Sequence, residues 1–160
     1  MLRFGTDGVR GDAESTLTSS SVRALGRAIA RALGAGPVLV GRDTRASGPR
    51  ITEALVAGLA DEGVGAVRLG VLPTPAIAHA AASRSLPALV VSASHNPPAD
   101  NGIKVFGPSG AKLDRGRQQA IEAGLRVRIP PTAAASSAPA GCTTGTTAAG
   151  SANRCESRSC

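Results

Sequence analysis

Short apolar runs alternate with stretches of helical period through residues 1–125, and this alternation constrains the fold more than any other feature. Residues 37–41, Pro-Val-Leu-Val-Gly, form one such run, and 87–91, Pro-Ala-Leu-Val-Val, form another. Short runs without polar alternation are typical of strands buried on both faces. Between them, residues 51–59 place an isoleucine and two leucines four apart, as on one face of a helix. The pattern predicts a three-layer α/β/α domain with a mostly parallel mixed sheet.

The same pattern assigns the individual elements. Strands are predicted at 2–5, 37–41, 66–69, 87–91 and 102–106, and helices from the N-caps Ser19–Ser21 to Gly34, after Ser47, from Leu72–Pro75 to Arg84 and over 114–124. Ligands of such sheets lie beyond the carboxyl ends of the strands. Functional residues are therefore expected in the three polar loops 5–11, 41–48 and 92–102.

Residues 126–160 have a different composition. Ala, Ser, Thr, Gly and Pro fill 24 of these 35 positions, and no period is left. One interpretation is a disordered, low-complexity tail. The other, which we prefer, is a shifted reading frame, because the composition switches abruptly in the middle of a helix. All three cysteines lie in this segment, so no disulfide framework supports the domain.

Charge and composition exclude several classes of function. The chain carries a net charge of +7, but residues 1–125 hold fourteen basic and ten acidic side chains, a difference of only +4. Two phenylalanines are the only aromatic residues, which leaves almost nothing on which nucleic-acid bases could stack, so no nucleic-acid partner is expected. No apolar run is long enough to cross a membrane, and the start lacks a secretory signal. A cytoplasmic protein without membrane association is expected.

The chemistry concentrates in the loop after the fourth predicted strand. Ser94 stands at the end of that strand and is followed directly by His95 and Asn96. A hydrolase triad is disfavoured, because His95 is adjacent to the hydroxyl in sequence and no G-x-S-x-G turn is present. Phosphoryl chemistry fits better, since a phosphoserine needs hydrogen-bond donors and cations around it.

Two cations could supply that charge. Lys104 is one of only two lysines beside sixteen arginines, which suggests a proton-transfer role that arginine cannot fill. The alternative is a solvated lysine on an edge strand. Arg10 lies in the glycine-rich stretch 5–11, whose backbone could approach a phosphate, although a tight turn with a surface arginine explains that pattern equally well. The loop 42–45, Arg-Asp-Thr-Arg, is either a further phosphate contact or a loop with local ion pairs.

Four motifs, taken together, resemble a known family. They are Gly5–Gly11, Gly41–Gly48, Pro73–Pro75, and Ser92–Pro97 followed by Asn101–Lys104. In this order they resemble the N-terminal domain, domain I, of the α-D-phosphohexomutases, and within that family the bacterial phosphoglucosamine mutases most. The resemblance covers residues 1 to about 124, so we divide the chain into a domain at 1–125 and a tail at 126–160.

The resemblance implies an isomerase that interconverts glucosamine 6-phosphate and glucosamine 1-phosphate through a bisphosphate, with Mg²⁺ as cofactor. Ser94 would be the phosphoserine and would give Mg²⁺ one ligand through its phosphate. His95 and Lys104 would serve in proton transfer and charge stabilisation, and Arg10 would approach the transferring phosphate. Phosphate or substrate contacts are assigned to the following residues: Thr6, Arg42, Asn96 and Asn101.

The resemblance also implies what this sequence lacks. The family's metal loop, sugar-selecting loop and second phosphate loop belong to domains II–IV, which are expected but missing here. The chain is therefore expected to be a fragment that is inactive alone. A phosphomannomutase or phosphoglucomutase fragment is the nearest alternative. A non-catalytic module that binds a hexose or hexosamine phosphate, and a basic nucleic-acid-associated protein, are the others.

Overall fold

The computed structural model describes residues 2, 4 and 8–126. Within them one five-stranded sheet carries four helices. The elements in chain order are β1 (Val9–Asp12), α1 (Ser19–Leu33), β2 (Val38–Arg42), α2 (Gly48–Ala60), β3 (Ala66–Val71), α3 (Thr74–Arg84), β4 (Ala88–Val91), β5 (Asp100–Phe106) and α4 (Arg115–Arg126). The strands lie side by side in the order β1-β5-β4-β2-β3.

The sheet is mixed, as predicted, but its parallel share is smaller than predicted. Strand β2 pairs in parallel with β3 and β4, whereas β5 pairs antiparallel with both β4 and β1. The cause is the connection between β4 and β5. Residues 92–99 are too few for the crossover helix that a parallel pair needs, so the chain turns back on itself.

Each helix begins and ends where its sequence allows. The cap of α1 is Thr18, one residue before the predicted serines, and its hydroxyl accepts the Ser21 amide at 3.3 Å. Gly34, at a φ of 81°, ends the helix as predicted. The predicted stripe of α2, at positions 51, 55 and 59, has no exposed surface at all.

The two faces of the sheet support separate apolar clusters. The larger cluster lies under α1, α2 and α4, and takes Val38 and Val40 from β2. The smaller lies under α3 and takes Leu39 from the same strand, with Ile77 from the helix. Alternate residues of β2 therefore face opposite layers, which confirms the three-layer α/β/α arrangement.

The first strand differs from the prediction. The predicted strand at 2–5 lies largely outside the described residues, and Val9–Asp12, placed in a polar loop by its sequence, is strand β1. It pairs with β5, from Val9 opposite Ile103 to Asp12 opposite Asp100. Only Val9 in it is buried, so the local sequence gives almost no apolar signal, and pairing with a distant strand decides its conformation.

The last helix extends slightly beyond the predicted domain boundary. It ends at Arg126, whereas the prediction placed its end near Gly124. The predictions for the remainder of 126–160 lie outside the described residues. Among the residues that the structure describes, no helix is long and apolar enough to cross a membrane.

Candidate functional site

Four strand ends meet at one edge of the sheet. Because β2 and β4 are parallel, Arg42 and Val91 end them at the same edge, and the antiparallel β5 begins there at Asp100. Strand β1 ends there too, with Asp12 opposite Asp100. The loops 13–18, 43–47 and 92–99 therefore lie along this edge, as expected for ligand-binding loops of such sheets.

Ser94 occupies a strained turn in the last of these loops. Its φ is 55°, in the left-handed region of backbone conformation that residues other than glycine rarely adopt. The turn closes through a 3.1 Å hydrogen bond from the Asn96 amide to the Ala93 carbonyl, and the Ser94 amide donates to Ser92 Oγ at 3.1 Å. The Ser94 residue itself is exposed. Strain of this kind costs about 1–3 kcal/mol and is common at functional sites.

Lys104 reaches this serine from β5. Its Nζ donates to Ser94 Oγ over 3.2 Å. The neighbours of Lys104 in the strand, Ile103 and Val105, point into the larger apolar cluster, so Lys104 extends from the opposite face of the sheet. The lysine is half-buried, which holds its stem against the sheet while the amine meets the hydroxyl. The lysine amine thus stands beside the oxygen atom that the family resemblance predicts to carry a phosphoryl group.

Arg10 joins the same cluster through Asn96. Arg10 lies opposite Gly102 on the sheet, and its Nη1 donates to Asn96 Oδ1 at 3.4 Å. Asn96 Nδ2 in turn donates to Asp100 Oδ2 at 2.9 Å. The contact of Arg10 is long and the residue is exposed, so its guanidinium keeps donors available for an anion near Ser94.

The structure describes one of the two remaining predicted residues, His95, but not Thr6. His95 is exposed and directly follows Ser94 in the turn. Thr6 lies outside the described residues. One hydrogen bond joins Lys104 to Ser94 and another joins Arg10 to Asn96, and the turn that holds Ser94, His95 and Asn96 connects the two pairs.

The placement of Asn101 corrects its assignment as a substrate contact. Its side chain has no exposed surface. Nδ2 donates to Ser47 Oγ at 2.9 Å, and Oδ1 accepts the Gly102 amide at 2.8 Å. A group that is fully buried and hydrogen-bonded at both ends cannot meet a ligand at the surface. We assign Asn101 instead to fastening the start of α2 to β5.

Arg42 was predicted to contact phosphate or substrate, and that assignment stays a prediction. Its Nη1 donates to the Asp43 carbonyl at 3.1 Å, and its stem lies against Gly48. The side chain lines a groove between α2 and β3, together with Glu53 and Arg68. This groove lies beyond β2, whereas Ser94 follows β4, so we place Arg42 outside the Ser94 cluster.

Sequence reasoning missed the arginine that does contact the Ser94 loop, which is Arg45. Its Nη2 donates to the Ser94 carbonyl at 3.0 Å, and Nη1 donates to the Asp100 carbonyl at 2.9 Å. Asp43 holds it from behind, with Oδ2 at 3.3 Å from Nε. The polar loop 41–48 was correctly identified as a place to search, but nothing in its sequence distinguishes Arg45 from Arg42.

The described residues do not form a metal site of their own. Among residues 2, 4 and 8–126 there is no group of three His, Cys, Asp or Glu side chains placed to hold a metal ion. The carboxylate nearest in sequence to the serine, Asp100, accepts a hydrogen bond from Asn96 Nδ2. Asp12, at the end of β1, accepts hydrogen bonds from Ser15, and these lower the pKa of its carboxyl. This carboxylate is occupied in stabilising its own turn.

Comparison with known proteins then decides the family. Residues 1–128 match the family model described as phosphoglucomutase/phosphomannomutase, alpha/beta/alpha domain I. The chain belongs to the phosphoglucomutase/phosphomannomutase family. Its three layers are those that the description of this family's domain I names, and all described members of the Ser94 cluster lie within the matched residues.

Relatives within this family are similar over the same region. A phosphoglucosamine mutase of Synechococcus sp. (strain RCC307) is 50% identical over 132 residues, which cover 81% of this chain and 29% of that protein. One of Mycolicibacterium paratuberculosis is 50% identical over 127 residues, covering 75% and 29%. The crystal structure of a putative phosphomannomutase from Thermus thermophilus superposes with a TM-score of 0.72 at 34% identity, covering 78% of this chain and 30% of that one. The chain thus spans about three tenths of the length of these family members.

Proposed function

We propose that this chain is the phosphoserine-bearing domain of a phosphoglucosamine mutase, an isomerase that interconverts glucosamine 6-phosphate and glucosamine 1-phosphate. The observation that carries the proposal is the 3.2 Å contact between Lys104 Nζ and Ser94 Oγ on an exposed, strained turn. Strained backbone is common at functional sites, and here it carries an exposed serine whose hydroxyl meets the Lys104 amine. The names and 50% identity of the relatives support glucosamine phosphate as substrate.

In the first half of the reaction, phosphorylated Ser94 gives its phosphoryl group to the 1-hydroxyl of glucosamine 6-phosphate. The bond from phosphorus to Ser94 Oγ breaks, and a bond from phosphorus to the sugar oxygen forms. The sugar hydroxyl loses its proton to solvent, and Lys104 Nζ gives a proton to the departing Ser94 oxygen. The product is glucosamine 1,6-bisphosphate, with Ser94 as a free hydroxyl.

In the second half, the bisphosphate presents its other phosphate to Ser94. Lys104 takes the hydroxyl proton as Ser94 Oγ attacks phosphorus, and the 6-hydroxyl leaves with a proton from solvent. Glucosamine 1-phosphate departs, and the phosphoserine is restored. One amine thus serves as acid in the first half and as base in the second, and this requires a group that can lose a proton, as lysine can and arginine cannot.

The remaining charged groups stabilise the transferring phosphoryl group. A phosphoserine carries about −1.5 to −2 charges at neutral pH. Arg10 would meet this charge through its fork of donors, and Asn96 and His95 would add donors from the turn itself. Catalysis of phosphoryl transfer depends on such positioning and electrostatic stabilisation more than on covalent chemistry by the protein.

The proposed cofactor is Mg²⁺, with one ligand supplied by the phosphoryl group on Ser94. The described residues contain no carboxylate cluster to complete its coordination. Mg²⁺ prefers six oxygen ligands in octahedral geometry, so the others must come from water, from the sugar phosphate or from a partner domain. In this proposal the partner domains are domains II–IV of the mutase, and the reaction takes place in the cytoplasm.

Phosphomannomutase is the second candidate, because the solved structure with a TM-score of 0.72 bears that name. The two candidates differ in the sugar but not in the role of Ser94. The groups of the Ser94 cluster recognise phosphate, which both sugars carry, so this cluster does not select between them.

Phosphoryl transfer from a sugar bisphosphate to the chain tests the proposal. The purified chain is incubated with glucosamine 1,6-bisphosphate and Mg²⁺, and the intact mass and peptide masses are followed with time. We expect one phosphoryl group on the peptide that contains Ser94, none in Ser94→Ala, and wild-type behaviour in the matched control Ser109→Ala, an exposed serine in another turn. No gain of mass in the wild type, or a gain that persists in Ser94→Ala, contradicts the proposal.

A further inference from the structure

Every guanidinium donor of Arg45 is used, and four of the five bind the loop that carries Ser94. Nη1 donates to the carbonyls of Pro97 at 2.6 Å and Asp100 at 2.9 Å. Nη2 donates to the carbonyls of Ser94 at 3.0 Å and Asn96 at 2.8 Å. The fifth donor, Nε, meets Asp43 Oδ2 at 3.3 Å. A guanidinium has five N–H groups in a fixed plane, so this side chain has none left for a ligand.

The carbonyls that Arg45 binds belong to two successive turns. The first turn closes from the Asn96 amide to the Ala93 carbonyl, and the second from the Asp100 amide to the Pro97 carbonyl. Apart from Asp100, which begins β5, the residues of these turns lie outside the strands and helices, so sheet pairing does not order them. A single side chain from the neighbouring loop therefore joins both turns into one unit.

The surroundings of Arg45 fix it in this position. Only 13% of its side chain is exposed. Asp43 accepts from it twice, through Oδ1 to the Arg45 amide at 3.0 Å and through Oδ2 to Nε. The Asp43 amide donates to the Val91 carbonyl at the end of β4. These hydrogen bonds thus fix Asp43 and Arg45 relative to β4, the strand that leads into the Ser94 turn.

We infer that Arg45 is a positioning residue, which holds the strained turn so that Ser94 Oγ stays in contact with Lys104 Nζ. The expected effect of Arg45 on phosphoryl transfer rests on the proposed function of Ser94. The expected effect of Arg45 on the order of the loop does not depend on that function. Lysine at position 45 would keep one positive charge but could not span four carbonyls, since its ammonium is a single point with three donors. Without these four hydrogen bonds from Arg45, the backbone of Ser94 is free to leave the left-handed region, and Ser94 Oγ moves away from Lys104 Nζ.

A comparison of Arg45→Lys with Arg50→Lys tests the positioning role of Arg45. Arg50 is a matched control, because its guanidinium also binds backbone carbonyls, those of Ala13 and Leu17, but in a different loop. Two quantities are measured on the whole chain: the rate of phosphoryl transfer from glucosamine 1,6-bisphosphate to Ser94, and hydrogen exchange of the amides in 94–100. A shift of about 1 Å in a reacting group can slow a reaction by about a hundredfold. We expect a loss of that order in Arg45→Lys, with faster exchange in 94–100, and neither change in Arg50→Lys.

The outcomes separate this inference from the function it rests on. Transfer in Arg45→Lys at the wild-type rate overturns the inference, and so does unchanged exchange in 94–100. If the wild type accepts no phosphoryl group, the proposed function fails, and exchange in 94–100 alone decides the role of Arg45. If Arg45→Lys does not fold, Asp43→Asn is used in its place, because it weakens the support of Arg45 and leaves the guanidinium intact. The same two measurements then apply, and a wild-type result in both refutes the positioning role of Arg45.

Discussion

Replacing Asn101 with alanine tests whether this residue fastens the fold or contacts substrate. The substitution removes the acceptor of the buried Gly102 amide and the donor to Ser47 Oγ. A buried donor left without a partner costs about 1–3 kcal/mol, and a lost hydrogen bond to a part-buried hydroxyl, which water can replace, about 0.5–1.5 kcal/mol. The free energy of unfolding should therefore fall by about 2–4 kcal/mol, a large part of the roughly 5–15 kcal/mol of an ordinary domain.

Urea unfolding followed by circular dichroism measures this change. With a denaturant dependence of about 2 kcal/mol per molar, the midpoint should drop by about 1–2 M. Asn96→Ala is the matched control, since Asn96 has the same side chain and also makes two hydrogen bonds, but it lies partly exposed in the loop before β5. We expect a loss below about 1 kcal/mol there. Equal midpoints for the two variants would refute the view that burial, rather than the number of hydrogen bonds, sets the contribution of Asn101.

Three further predictions concern proton transfer, helix packing and pH. Lys104→Arg keeps the charge beside Ser94 but removes the transferable proton, so phosphorylation by the bisphosphate should slow by about 10²–10⁴-fold; an unchanged rate would rule out proton transfer by Lys104. Gly58→Ala places a Cβ 2.2 Å from the Arg23 carbonyl, so its urea midpoint should fall by the equivalent of about 1–3 kcal/mol. The control Gly116→Ala, at an exposed position of α4, should not lower the midpoint. Equal midpoints for the two variants would contradict the close crossing of α1 and α2. The hydrogen bond from Arg23 lowers the pKa of Asp61 from 3.8, so this pair stabilises the fold above that pH and loses its effect as the pH falls through the lowered pKa. Asp61→Asn should therefore lose less stability over that range than the wild type. Parallel pH profiles of the unfolding free energy for the two proteins would contradict this.

The elements that the sequence predicted best are those with strong local patterns. Strand β2 and helix α2 follow each other at 38–42 and 48–60, close to their predicted places, because a buried apolar run and a four-residue stripe each require one conformation. The loop at Ser94 was predicted from its direct succession of a hydroxyl, an imidazole and an amide, and its role as the centre of the site stays a prediction.

The features that the sequence did not predict depend on contacts between distant parts of the chain. Strand β1 exists because Val9–Asp12 pairs with β5, about ninety residues later. Arg45 and Arg42 share one short loop and the same side-chain chemistry, but only Arg45 reaches carbonyls about fifty residues away. Asn101 has the side chain of a ligand contact and is excluded from that role by burial alone. Such differences arise from tertiary packing, and local propensity contains no record of them.

The face of the sheet that carries Lys104 has a consequence for the lifetime of the phosphoryl group. Helix α3 packs on that face over β4 and β2, while Arg10 and Lys104 stand on β1 and β5 beside it, with Ser94 exposed at the edge. A phosphate ester on Ser94 would meet the Lys104 amine on one side and, as far as the described residues extend, solvent on the other. Its persistence would then rest on kinetics, because uncatalysed hydrolysis of phosphate monoesters is among the slowest reactions known. If Ser94 carries the phosphoryl group as proposed, the domain would hold it in water as a stable ester and release it only when an acceptor hydroxyl is brought into line with the phosphorus atom.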